Sequence, residues 1–150
     1  MGTKYQGTER ERRALDAFIK LVRCAEALSA RVEGPISGIS LSVSQFGVLE
    51  ALYHLGPLYQ KDLARKILKS TGNITMVVDN LEKRGLVVRM LDEEDRRHYF
   101  VKITKAGKRL IASFFPSHVA RIVKEINALS GEEQEELARL CKKVGLGRST

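Results

Sequence analysis

The stretch from Ser70 to Thr104, STGNITMVVDNLEKRGLVVRMLDEEDRRHYFVKIT, decides the fold. Its first half places Ile74, Val77, Val78 and Leu81 at i, i+3, i+4 and i+7, the spacing of a single buried helical face. With that face turned inward, Gly72, Asn73, Met76, Asp79, Asn80 and Lys83 point outward. They are mostly small, polar or hydrogen-bonding residues rather than a plain Glu/Lys solvent face. Gly85 predicts the end of the helix. Leu86 to Leu91 and Tyr99 to Thr104 are rich in β-branched and aromatic residues and read as two strands of a hairpin. Between them Asp92-Glu93-Glu94-Asp95-Arg96-Arg97-His98 makes a charged tip with adjacent arginines.

Working outward toward the N-terminus, Leu68-Lys69-Ser70 is a tight turn, and Ser70 or Thr71 has the chemistry of a helix N-cap. Before it, Gln60 to Ile67 predicts a short helix that buries Leu63, Ala64 and Ile67. Gly56-Pro57 breaks the chain. Ser42-Val43-Ser44-Gln45 has capping-box spacing and opens a helix that runs to about His54, with Phe46, Leu49, Leu52 and Tyr53 facing a core. Two short helices joined by a tight turn form a helix-turn-helix, in which the second helix enters the groove. With the hairpin added, residues 42–104 read as a winged helix-turn-helix.

Long helices are predicted on both sides. Residues 9–33 carry Ala14, Leu15, Phe18, Leu21, Val22, Ala25 and Leu28 on one broad arc, which is wide for a helix with a single neighbour. Gly34-Pro35 ends it, and a short, weakly polar loop is expected up to Leu41. Residues 1–8 are expected to be frayed. Thr104 is the predicted cap of a helix from Lys105 to about Leu129, with Pro116 inside it. Its stripe contains Leu110, Ile111, Phe114, Phe115, Val119, Ile122, Val123 and Ile126. Ser130-Gly131-Glu132-Glu133 opens a last helix with acids at its start, Lys142 and Lys143 at its end, and Gly145 as its stop. These helices, about 9–33 and 105–145, carry more apolar surface than one winged domain covers. A second copy of the chain is the expected partner. The fold class is therefore mainly α with a small β-wing.

Composition bounds the function. Lys and Arg number 26 against 18 Asp and Glu, a net charge of +8, which fits a polyanion such as double-stranded DNA. Trp is absent and aromatics are few, which argues against a single-strand stacking surface. Cys24 and Cys141 are far apart and form no CxxC pair, so no disulfide framework is expected. No apolar segment predicts a signal peptide or a membrane span, and a cytoplasmic location is expected. The opening Met-Gly lacks the Ser or Thr of a myristoylation motif, having Gln6 instead. His54, His98 and His118 do not cluster, so no metal is expected. With no Gly-rich phosphate loop, nucleophile elbow or paired acids, no cofactor and no enzyme activity are expected.

The sequence resembles the MarR (multiple antibiotic resistance regulator) family of bacterial transcription regulators over nearly its whole length. The likeness is carried by NLEKRGLVVR (80–89), DEEDRRHYFVKIT (92–104), TKAGKRL (104–110), FPSHVARI (115–122) and LSGEEQEELARLCKKVG (129–145). The most specific element is an Asp two residues before an Arg, then a strand ending in Ile-Thr and a helix opening with Gly. The resemblance implies a homodimer whose terminal helices interlock, with two winged domains reading a palindrome. It implies that Arg97 reaches into the minor groove, that Asp95 orients it, and that Ser70, Thr71, Asn73 and Thr75 begin the recognition helix. Tyr59 departs from the family pattern, which has Ser or Thr capping the third helix. The start of that helix is therefore in doubt, and a phosphate contact is one role for the Tyr59 hydroxyl.

Several residues carry two readings. Arg96 and Arg97 suit a narrow, negative minor groove, against the alternative of a solvated turn. Asn73, Thr75 and Met76 suit base edges and thymine methyls, against capping and solvent. Lys83, Arg84 and Arg89 are candidate phosphate contacts. Cys24 is either a half-buried small residue or a thiol redox sensor, while Cys141 reads as structural. His118 falls on the seam of Ile111, Phe115 and Ile122 and is either a core or interface histidine or part of an effector site. Phe18, Tyr53 and His118 are the candidate contacts for a small aromatic or apolar effector. The expected function is a DNA-binding repressor released by that effector. The alternatives are a thiol-based redox regulator using Cys24, an architectural DNA binder, and a protein-interaction winged helix.

Overall fold

A computed structural model describes residues 2–67 and 71–147. The chain divides into two units, Met1–Phe115 and Pro116–Thr150. The first contains the whole winged domain.

Helix α1 spans Glu9–Glu33. Its start is fixed by a capping box that the sequence reading overlooked. Thr8 Oγ1 accepts the Glu11 N–H at 3.2 Å, and the Thr8 N–H donates to the Glu11 carboxylate at 2.8 Å. The segment before it is tied down rather than frayed, since the Thr3 N–H donates to the Asp16 carboxylate. Gly34–Ile39 forms a 3₁₀ helix instead of the expected loop. It exists because Ile36 is wholly buried there and Leu41 nearly so, which draws this stretch into the core.

Helix α2, Val43–Leu55, begins with the predicted Ser42–Gln45 capping box. Phe46, Val48, Leu49 and Leu52 are buried, but Tyr53 is exposed and does not join the core. Strand β1 is a two-residue strand, Leu58–Tyr59, absent from the sequence reading. It pairs with β3 (Tyr99–Ile103), which pairs in turn with β2 (Val87–Leu91), so the antiparallel order is β1-β3-β2. Leu58 faces Val101 and Val87 faces Ile103. Helices α3 (Gln60–Lys66) and α4 (Thr71–Lys83) make the helix-turn-helix.

The core lies under these elements. Ile74, Val78 and Leu81 of α4 are fully buried, as their spacing predicts, against Leu49, Leu52, Leu63, Val87, Val101 and Ile111. Phe46 and Phe114 meet edge-to-face with ring centroids 5.5 Å apart. Two glycines are required by the geometry. Gly85 sits at φ +71° and ends α4 in a Schellman turn, with the Leu86 N–H donating to Leu81 O and the Gly85 N–H to Glu82 O. Because Leu86 belongs to that turn, β2 begins one residue later than expected. Gly107 lies against the Leu86 carbonyl, where a Cβ would also stand 2.7 Å from Ile103 Cγ1.

Helix α5, Lys105–Ile126, is capped by Thr104, whose Oγ1 accepts the Gly107 N–H at 3.1 Å and donates to Gly85 O at 2.7 Å. It ends three residues earlier than predicted. In the second unit, α6 (Gly131–Gly145) starts with the predicted box between Ser130 and Glu133. The Ser130 N–H holds the Glu133 carboxyl below its ordinary range. Leu137, Leu140 and Val144 on α6 and Val119, Ile122 and Val123 on α5 are exposed.

Candidate nucleic-acid interface

The recognition helix presents the face expected of it. Gly72, Asn73, Met76, Asn80 and Lys83 are exposed as expected, as is Thr75, while Asp79 is half-buried against Arg89; Met76 is 62% exposed. Ser70 lies outside the described residues; Thr71 is the first residue of α4. An exposed methionine and amide at the start of a groove-sized helix have the chemistry to meet thymine methyls and base edges. Thr75 Oγ1 accepts a hydrogen bond from Gln60 Nε2 at 2.7 Å, so the first helix of the motif braces the second.

The wing tip is ordered by its own carboxylates. The hairpin closes where the Asp92 N–H donates to His98 O at 3.1 Å. Arg97 donates to Asp95 through two side-chain nitrogens, Nε at 3.0 Å and Nη2 at 3.1 Å, in a bidentate fork. The Arg97 backbone N–H also donates to Asp95 Oδ1 at 3.2 Å. The Arg97 guanidinium holds the Asp95 carboxyl below the usual carboxylate range, and His98, 3.5 Å away, adds to the effect. The fork leaves Nη1 outside the pair. The Arg97 side chain remains 85% exposed, so the guanidinium is presented in a set orientation at the surface. Arg96 is exposed beside it.

Three predicted phosphate contacts have other commitments. Arg89 is only 17% exposed. It bonds Asp79 Oδ1 at 2.7 Å, Glu82 Oε1 at 3.2 Å, Thr75 O at 3.2 Å and Gln60 Oε1 at 3.3 Å. It joins β2, α3 and α4 instead of standing out toward a ligand. Arg84 donates to the carbonyl of Ser40, a non-glycine residue at φ +58°. The Tyr59 hydroxyl donates to Asp92 Oδ2 at 2.6 Å, so the phosphate contact considered for it is displaced by an internal bond. Helix α3 starts at Gln60 as its pattern predicts, with Tyr59 at the N-cap making no side-chain capping bond.

Phe18 and Tyr53 are exposed, and His118 is buried in the second unit. A recess of about 690 Å³ runs along α2, but its walls are Val43, Gly47, Glu50, Ala51, His54, Leu55 and Lys66 with their neighbours. Nothing in the local sequence marks this recess, because Glu50, His54 and Lys66 come together only when α2 and α3 pack. His54 joins Phe115 at a centroid distance of 4.7 Å and the Tyr53 ring at 5.0 Å. Cys24 is exposed rather than half-buried in the single chain, and Cys141 is exposed as well. Among the described residues no group of three His, Cys, Asp or Glu is placed to hold a metal, and no helix is long and apolar enough to cross a membrane.

A braced recognition helix, a three-stranded sheet and an arginine-tipped wing define a winged helix-turn-helix DNA-binding regulator. The comparisons place it further. The MarR family model matches residues 41–99. The HTH-type transcriptional regulator MhqR of Bacillus subtilis (strain 168) is 38% identical over 134 residues, covering 89% of this chain and 92% of that one. Sco3205, a MarR family transcriptional regulator from Streptomyces coelicolor solved in complex with DNA, superposes with a TM-score of 0.83 at 21% identity, over 97% of this chain and 94% of that one. NadR in complex with 4-hydroxyphenylacetate superposes with a TM-score of 0.75 at 25% identity, over 95% and 96%. The chain belongs to the MarR family and is a transcription regulator, not an enzyme.

Proposed function

We propose that the protein acts in the cytoplasm as a homodimeric repressor that occupies a palindromic operator and is released by a small aromatic or apolar effector. The observation that carries the DNA reading is the exposed Arg97 held by Asp95, together with the outward polar face of α4. In this reading Thr71, Asn73, Thr75 and Met76, together with Ser70, face the major groove, while Arg96 and Arg97 enter the flanking minor groove. Asp95 acts by orienting Arg97. Arg89 acts from behind, by fixing the helix on which the base-reading residues stand.

The dimer reading rests on exposed apolar side chains: Phe18, Leu21 and Val22 on α1, Val119, Ile122 and Val123 on α5, and Leu137, Leu140 and Val144 on α6. Exposed patches of this kind mark association surfaces. Two-fold pairing sets the two recognition helices at a spacing that must match about one DNA turn, ~34 Å. An effector changes occupancy only through its differential affinity for the matching and mismatching spacings. NadR with its bound hydroxyphenyl acid supports an aromatic effector. Phe18, Tyr53 and His118 remain its proposed contacts, and the recess along α2 offers apolar walls with Lys66 as a cationic partner for a carboxylate.

The test is selection of bound duplexes from random-sequence DNA. The expected outcome is enrichment of an inverted repeat with half-site centres about 10 base pairs apart. Recovery of sequences with no repeat would sink the palindrome reading.

A further inference from the structure

We infer that Tyr59 is the positioning residue of the wing, setting through Asp92 where Arg97 stands relative to the recognition helix. The inference rests on the proposed Arg97 contact with DNA. Tyr59 lies at the start of α3, and its hydroxyl reaches 33 residues along the chain to Asp92. Its ring is locked by stacking on Phe100, with centroids 4.2 Å apart and planes 20° from parallel, and by the edge of His98 at 5.8 Å. The Lys61 ammonium sits 5.4 Å from the ring centroid.

Asp92 is the anchor of the wing loop. It is 8% exposed, so its carboxylate depends on protein partners. Those partners include the Tyr59 hydroxyl on Oδ2, the Glu94 N–H on Oδ1 at 3.0 Å and the Asp95 backbone N–H. Its own N–H closes the loop on His98 O, and the His98 N–H donates to Asp95 O. Asp95 then grips Arg97. The path from the helix-turn-helix to the wing arginine therefore runs Tyr59, Asp92, loop, Asp95, Arg97. The residue that forgoes a capping bond to α3 supplies a side-chain tie between the start of α3 and the loop base.

The test uses the full-length chain and a duplex recovered by selection on random-sequence DNA. Binding is measured against salt for the unaltered protein, Y59F, R97A and the double variant. Phe keeps the ring stack on Phe100, and a thermal melt checks that each variant is folded. Tyr→Phe removes no charge. The inference nevertheless predicts a salt slope that falls toward that of R97A, with affinity ~10-fold weaker, as expected for loss of one charge-assisted bond. In the R97A background, Y59F should cost less than ~2-fold, because the two act on one contact. D92A, which also frees the Glu94 N–H, should weaken binding at least as much as Y59F, and Y59F should add nothing in the D92A background. Equal losses from Y59F with and without Arg97, or an unchanged salt slope, would overturn the inference while leaving the wing reading intact. R97A binding as tightly as the unaltered protein would overturn the wing reading and this inference with it.

Discussion

Arg89 on β2 brings Nη2 to 2.7 Å from Asp79 Oδ1 on α4, joining the wing sheet to the recognition helix. The same guanidinium reaches Glu82 and the Thr75 carbonyl, so three of its partners lie on one helix. A lysine ammonium cannot serve these directions at once. Both R89A and R89K should therefore lower stability, by about 1–2 kcal/mol given the partial exposure of Asp79 and Glu82. A shift in the urea midpoint measures this. The salt slope of DNA binding should stay the same, which separates a brace from a phosphate contact.

Gly107 should tolerate no side chain. A Cβ there meets the Leu86 carbonyl and Ile103 Cγ1, neither of which is the flexible end of a long chain. G107A should cost about 1–3 kcal/mol by overpacking, seen as a lower denaturant midpoint with an unchanged slope. Full stability in G107A would show that the contact between the start of α5 and the turn at Leu86 relaxes freely.

The Tyr59–Asp92 bond should leave a mark on stability at both pH extremes. Asp92, held below the ordinary 3.8 mainly by the Tyr59 hydroxyl, contributes stability that is present above pH 4 and lost as pH falls through its folded value. The Asp92 bond pushes Tyr59 up from 10.0 to about 12. A raised group contributes stability that is fully present below pH 10 and lost as pH rises toward 12. Y59F should therefore flatten the alkaline limb of a chemical-denaturation profile between pH 10 and 12. Parallel limbs for the two proteins would contradict the bond.

The apolar stripe of α5 offers a test of the dimer. Val123 is exposed in the single chain, and V123E should leave the secondary structure intact while shifting sedimentation from dimer to monomer. Affinity for the selected inverted repeat should fall by ~100-fold or more, because two half-sites are no longer gripped together. A V123E protein that still sediments as a dimer would place the interface elsewhere.

Much of this molecule is legible in its sequence where local pattern and burial agree. Ile74, Val78 and Leu81 are buried as their spacing requires, Ser42 and Ser130 open the helices they were expected to open, and Thr104 caps α5. The failures share a cause. The 3₁₀ helix at Gly34–Ile39 and strand β1 are too short to carry a period and form only because a core or a neighbouring strand lies beside them. Arg84, Arg89 and Tyr59 bear groups that suit a phosphate equally well, and only the fold shows that Ser40, Asp79 and Asp92 have taken them. The Asp95–Arg97 fork was readable because its partners are two residues apart. The Tyr59–Asp92 bond spans 33 residues and left no local signal.

The central claim, that this wing holds an arginine for DNA, is met most directly by the salt dependence of binding to the selected duplex for the unaltered protein and R97A. The account predicts that R97A binds at least ~10-fold more weakly, with the slope of log K against log salt reduced by about 1 per bound wing. Identical affinities and identical slopes would contradict it.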